Sequence, residues 1–386
     1  MGYSMDLEKA DSAAEVGFSD ERLRSAHGVL VEAVRSSFFP GGVAVVGRGG
    51  KLVSEWALGH LDYGDESPPA SVDTIYDVAS LTKVVVTATL AMILCEGGKL
   101  RLDARVRECL PEFAGDEKEG ATVADLLSHS SGILWWKDFY RSVQEDWSIA
   151  EVKKWYVKEI CLLPLDYPTR TKSVYSDLGT ILLGEILERA AGRPLDEMAR
   201  DEVFEPLGMG HTWFKPPPSL KDRIAPTGRS SWRDRFLVGE VHDDNAFAMG
   251  GVAPHAGLFS TGRDLAAFAQ TMLNGGVLED RRVVERSTVE LFTRRVDRIP
   301  ASSRALGWDT PSRESTAGRY FSSSSYGHLG FTGTSVWIDP IRDLFVVLLT
   351  NRMSPSLDQE TINDVRASFH DAVMEALVEV PPPRSA

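Results

Sequence analysis

Ser80 and Lys83 stand three residues apart, and a hydroxyl and an amine at that spacing can form a serine nucleophile with its own proton acceptor. The run behind them, Val84 to Leu94, is apolar nearly all round, which predicts a helix buried on every side. Its β-branched members (Thr82, Val84, Val85, Val86, Thr87, Thr89) are mediocre helix formers, so packing rather than propensity must hold it. Gly97-Gly98 then stop it. With Ser80 in the first turn, Lys83 lies one turn on along the same face, at the positive end of the helix dipole. Ser-x-x-Lys alone arises by chance in a serine-rich chain, so context has to carry the assignment.

Two further clusters could do chemistry. Tyr175-Ser176-Asp177 precedes an apolar-periodic helix, Leu178–Ala191. Asp177 serves there as a helix N-cap and Tyr175 as a packing aromatic; the chemical alternative is a phenol set beside the nucleophile, able to pass a proton. In Tyr326–Ser335, Gly327, Gly330 and Gly333 surround His328 and lead into the strand Val336–Ile338. Glycines let a strand backbone approach a substrate closely, although a glycine-rich loop with a surface histidine fits equally. His242-Asp243-Asp244-Asn245 has no second histidine at a helical ligand spacing, so no metal and no cofactor is expected. His242 and Asn245 read as cleft-shaping or capping residues, and His129 and His255 as structural histidines. No Gly-x-Ser-x-Gly elbow is present, which argues against an α/β-hydrolase.

The elements that must position these residues follow from the pattern around them. Residues 1–17 read as a polar, loosely held tail. Ser19 is a plausible N-cap for a helix to about Ser36. Val43–Arg48 and Leu52–Leu58 flank Gly49-Gly50-Lys51 as a hairpin. Helices are expected over Val123–Leu127, Ser148–Ile160, Leu195–Val203, Arg263–Leu273, Ser287–Thr293 and Gln359–Leu377, with a long irregular stretch from Pro216 to Asn245. Strands return at Thr334–Ile338 and Leu344–Thr350. Helix and strands thus sit at both chain ends, residues 18–79 and 254–380, and a mainly helical block, residues 80–253, is inserted between them. The expected class is α+β: an antiparallel sheet flanked by helices with an inserted all-helical domain, the site lying between them.

Composition sets the outer bounds. With 386 residues the chain can bury a full core, and its net charge of -14 argues against nucleic acid and anionic membranes as partners. No stretch is expected to span a membrane, and the first residues lack the basic-then-apolar pattern of a signal peptide. The expected compartment is cytoplasmic, or periplasmic or secreted if a signal peptide has been removed. Cys95, Cys109 and Cys161 form neither a metal spacing nor an even disulfide set. The expected partner is a small-molecule substrate, with the oligomeric state open.

Three motifs in this order resemble the serine penicillin-recognising superfamily, and within it the class C β-lactamase-like branch. That branch includes D-amino-acid peptidases and amidases and β-lactamase-like carboxylesterases. Ser80–Lys83 is similar to its S-x-x-K, Tyr175–Asp177 to its Y-x-N, and His328-Leu329-Gly330 to its K-T-G in the H-x-G form. Leu126–Gly132, Gly250-Gly251-Val252, Ala256–Thr261 and Phe331–Pro340 also look similar, so the resemblance covers about residues 20–377. It implies Ser80, Lys83 and Tyr175 as the catalytic set, the backbone N–H groups of Ser80 and Phe331 as an oxyanion hole, and Asp177, His328 and Gly330 as substrate-binding residues. Asp177 stands where Asn is commonest and His328 where lactamases carry Lys.

Burial and the helix N-terminus are expected to push Lys83 toward the neutral amine, and a Lys83 ammonium to push Tyr175 toward phenolate; the base is assigned to the pair. His328 is expected to face the cleft as a neutral hydrogen-bond donor. Neutral esters should then be favoured over a carboxylate-bearing cephalosporin unless an arginine such as Arg313 or Arg319 supplies the missing charge. The implied function is a serine hydrolase working through an acyl-enzyme on a small carboxylic ester or D-amino-acid-type amide. The alternatives are a true β-lactamase or cell-wall D-Ala-D-Ala peptidase, and, in another class, a penicillin-binding sensor without turnover.

Overall fold

Ser19 accepts from the Arg22 amide and opens helix α1 (Asp20–Arg35), where its type predicts an N-cap. The computed structural model describes residues 7–297, 299, 302–312, 315–353 and 358–384. The hairpin follows as β1 (Gly41–Arg48) and β2 (Lys51–Gly59). The other chain end supplies β3 (Tyr326–Leu329), β4 (Ser335–Asp339) and β5 (Leu344–Thr350). These five strands form one antiparallel sheet in the order β2-β1-β5-β4-β3. The two ends of the chain join along β1 and β5, with Val46 opposite Val346.

Successive side chains alternate faces, so each strand feeds two layers. Val43, Val45, Val336, Ile338, Val347 and Leu349 pack in a core shared with the central helices and with α5 (Gly262–Leu273). Ala44, Val46, Trp337, Leu344, Val346 and Leu348 face α1 and α6 (Gln359–Glu375) on the other side. β5 is buried on both faces along its whole length, which is why its sequence reads as a continuous apolar run.

Between the chain ends lie α2 (Thr89–Glu96), α3 (Ile149–Leu162) and α4 (Asp177–Ala191). The run from Ser80 is helical but irregular. A 3-10 turn over Ala79–Leu81 widens into a π-helical segment over Lys83–Ala88 before α2 begins. Val84, Val85 and Val86 are fully buried, worth roughly 1.5–3 kcal/mol each. A β-branched residue loses only about 0.5 kcal/mol of helix propensity, so packing holds the segment. Residues 79–96 are long and apolar enough to cross a membrane by composition, against expectation, yet most of this stretch is buried inside the protein.

Two other expectations change. The tail is tied down from Leu7 onward: the Leu52 N–H donates to Glu8 O and Ala10 N–H to Leu52 O. Lys9 and Arg263 both pair with the buried Glu55, and burying that carboxylate requires such partners. Tyr326–Leu329, expected only as a glycine-rich lead-in, is the edge strand β3, with His328 opposite Val336.

Candidate active site

Ser80 is presented by a short strained segment. Tyr76–Asp77 pairs with Phe259–Ser260, and Val78 N–H donates to Leu258 O. Ala79 then takes φ of +47°, a left-handed conformation that is costly for a residue with a Cβ. Asp77 holds it there, one carboxylate oxygen accepting from Ala79 N–H at 2.8 Å and the other from His242 N–H at 2.6 Å. Burial pushes the Asp77 carboxyl up to about 6, against the pull of those two amides.

Lys83 is buried one turn on, as its spacing predicts, and its Nζ lies 3.0 Å from Ser80 Oγ and 2.8 Å from His255 O. Asp177 supplies the third neighbour, with Oδ1 at 2.7 Å: close enough for full Coulombic attraction, though off the line of a well-aligned hydrogen bond. Burial favours the neutral amine, but Asp177 and then Tyr175 outweigh it and raise the Lys83 pKa. Three acceptors around one nitrogen are what an ammonium satisfies. Burial likewise raises the Tyr175 phenol, with Lys83 opposing. The pair therefore rests as ammonium and phenol: burial does not leave Lys83 a neutral amine, the Lys83 ammonium does not bring Tyr175 to phenolate, and the base stays assigned to the pair.

Asp177 is free to do this because it is not the helix cap. Ser176 caps α4, its Oγ accepting from Gly179 N–H at 2.9 Å, so the Asp177 side chain turns toward Lys83. Tyr175 is half-buried, and its buried hydroxyl lacks an aligned partner among the described residues. Its ring lies 4.9 Å from Lys83 Nζ and 4.7 Å from the His129 ring. His129 Nδ1 accepts from Ser176 N–H, so this histidine buttresses the tyrosine loop.

His328 is buried, and its Nδ1 lies 2.8 Å from Leu329 O. A carbonyl only accepts, so Nδ1 carries the hydrogen. Burial, then the Arg304 and Lys83 cations, hold the imidazole well below its ordinary pKa, so the ring is neutral and Nε2 is an acceptor. That corrects its expected role as a donor. Gly330 brings the end of β3 against the segment that carries Ser80: a Cβ there would sit 2.0 Å from Thr334 Oγ1 and 2.5 Å from Val78 O. Thr332 Oγ1 donates to Asp77 O and Thr334 Oγ1 to Val78 O, fastening the turn after β3 to the residues before Ser80. Phe331, half exposed, stacks on His242.

Three contributors were not legible. Arg304 lies over the Tyr175 ring, 5.2 Å from guanidinium carbon to centroid, and among the described residues its ion partner is Asp309, at 4.0 Å. The expected Arg319 is instead paired with Asp371 on the surface, and Arg313 lies outside the described residues. The second contributor is the His255 carbonyl on Lys83, for which no sequence signal exists because any residue has a carbonyl. The third is Trp135, exposed beside the site, whose carbonyl accepts from Asp177 N–H. Asn245 does not enter the cleft; it accepts from Tyr156 OH and Tyr140 N–H and braces a loop.

The Beta-lactamase family model matches residues 29–370. The chain is 35% identical to an N-acetylmuramyl-L-alanine amidase of Bacillus subtilis (strain 168), over 91% of this chain and 86% of that protein. It is 32% identical to an inferred D-alanyl-D-alanine carboxypeptidase of Escherichia coli (strain K12), over 90% and 87% respectively. Among solved structures, a penicillin-binding protein homologue from Caulobacter crescentus superposes with TM-score 0.73 at 22% identity, covering 94% of this chain and 99% of that one. A family VIII carboxylesterase gives 0.71 at 23% identity, with the same coverage of each chain. At these identities the two superpositions speak for the fold.

Proposed function

The chain belongs to the β-lactamase family of serine hydrolases, and we propose that it cleaves a small amide or ester through an acyl-enzyme on Ser80. The observation that carries this reading is the buried Lys83 Nζ, shared between Ser80 Oγ and the Asp177 carboxylate, with the Tyr175 phenol beside it and without an aligned partner among the described residues. Loss of one proton from the coupled Lys83 and Tyr175 pair creates an acceptor for the Ser80 hydroxyl proton. Ser80 Oγ then bonds to the substrate carbonyl carbon, whose oxygen takes up negative charge facing the N–H groups of Ser80 and Phe331. The bond to the leaving amine or alcohol breaks as that group receives the proton from the pair. Water reverses the sequence on the acyl-enzyme and frees the acid.

A second reading, a peptidase or β-lactamase acting on a carboxylate-bearing substrate, is favoured by Arg304. It sets a cation by Tyr175 and His328, with a distant carboxylate, Asp309 at 4.0 Å, as its ion partner among the described residues. One screen tests both: a short-chain p-nitrophenyl ester, a D-aminoacyl amide and a chromogenic cephalosporin on wild type, Ser80→Ala and Arg304→Ala. Many turnovers by wild type with none by Ser80→Ala is the expected result. Loss confined to the cephalosporin in Arg304→Ala assigns the second reading. A wild type that is acylated once and stops is a sensor, and the hydrolase reading fails.

A further inference from the structure

The reading above leaves a fully buried cation unexplained. Arg366, on α6, is 0% exposed, and its hydrogen-bond acceptors among the described residues are all neutral: Gly330 O at 2.7 Å, Thr334 O at 2.8 Å and Asn363 Oδ1 at 2.9 Å. Burial and then the neighbouring Arg352 cation pull it down to about 9, which still leaves it charged at neutral pH. As a filler between helix and sheet, a methionine or leucine would carry far less desolvation cost. The position of the charge supplies a reason. Gly330 O and Phe331 N–H belong to one peptide group, which is planar and trans, so the carbonyl points away from the direction of the N–H. A cationic donor on the carbonyl draws electron density from the amide and strengthens its N–H as a donor.

We propose that Arg366 is a positioning residue for the oxyanion hole, orienting and polarising the Gly330–Phe331 peptide from behind the sheet. The proposal rests on reading the Ser80 and Phe331 N–H groups as that hole. Neighbouring contacts hold the same unit. Gly330 N–H donates to Thr334 O, the second carbonyl that Arg366 grips, and closes the turn. Arg352 Nε donates to Phe331 O at 2.6 Å, fixing the next carbonyl along. From the front, Thr332 and Thr334 tie the turn to Asp77 and Val78, so both donors ride on one fastened piece of backbone. Arg366 touches neither substrate nor nucleophile; it acts through the peptide.

The test separates field from packing. Asn363→Asp sets a carboxylate against the guanidinium, which pairs the buried charge and weakens its field on the peptide. A purely structural cation predicts a stabilised enzyme with unchanged chemistry. The proposal predicts an unchanged or higher Tm together with a roughly threefold to tenfold loss in kcat, and KM for a neutral ester within about twofold. The affinity for a phenylboronic acid, which forms a tetrahedral anion on the serine, falls in parallel with kcat. Arg366→Lys keeps the charge without the fork and loses about tenfold in kcat, and Arg366→Gln about a hundredfold. Asn363→Asp and Arg366→Lys enzymes that match wild type in kcat and boronate affinity overturn the role of Arg366. Boronate binding that survives Ser80→Ala overturns the hole itself, and the proposal with it.

Discussion

Asp177 sets the protonation of the site. Its carboxylate raises Lys83 against the downward pull of burial, so the form able to accept the Ser80 proton is reached only on the alkaline side. Asp177→Asn removes the negative charge and lets the Lys83 pKa fall. The rising limb of the kcat/KM profile should therefore move to lower pH, by about one unit or more, with little loss in the plateau rate. Profiles of a p-nitrophenyl ester from pH 6 to 10 read this directly, and a limb that stays put assigns proton transfer to a group other than Lys83. The residues were singled out here because three motifs taken together resemble one family's set, which no single spacing would have done. The protonation states were not. They depend on Asp177, His255 and Arg304, which the fold brings from distant parts of the chain.

At the scale of elements, the junction of β3 with the nucleophile segment depends on absent side chains. Gly330→Ala places a methyl group inside contact distance of Val78 O and Thr334 Oγ1, so the Ser80 and Phe331 N–H groups, proposed as the oxyanion donors, must separate. A cost of about 1–3 kcal/mol in stability and a tenfold or greater fall in kcat are expected, with KM little changed. Urea unfolding and ester kinetics on the same preparation check both; full activity would place the hole elsewhere. β3 itself was missed because Tyr-Gly-His-Leu lacks the β-branched alternation of a strand, and pairing with β4 supplies what propensity does not. Most other elements were placed within a few residues of their ends. Asp177 as cap was the plausible local choice, since Ser and Asp cap equally well; the pull of Lys83 decides in favour of Ser176.

For the whole molecule, burial of imidazoles sets an acid limit on stability. His129, His328 and His370 are all held neutral by burial, His370 down to about 4. Below about pH 6.5 the unfolded chain takes up these three protons and the native state does not, so stability falls as pH falls. Asp77 works the other way: raised to about 6, it binds a proton first in the native state and returns one of the three. His242, lowered by burial, and Asp264, raised by burial, act in opposite senses, and two net protons correspond to a slope of about 3 kcal/mol per pH unit. Urea unfolding at pH 7.5, 6.0 and 5.0 should show this decline, and His370→Gln should flatten it by about one proton. A level profile over that range would mean these rings are protonated in the native state as well.

The sequence by itself determined the class of the fold, the joining of both chain ends in one sheet, and the candidate trio Ser80, Lys83 and Tyr175 that the fold brings together. The fold class and the shared sheet rest on periodicity and runs of buried residues, which are written in neighbouring letters, and the trio rests on the resemblance of three motifs taken together. Only the tertiary structure decided that Lys83 rests as an ammonium, that His328 accepts rather than donates, and that Arg304 and Arg366 stand around the site. Those outcomes are sums of burial and of charges far apart in the chain. A lysine beside a carboxylate and one beside a hydrocarbon read the same until the chain has folded.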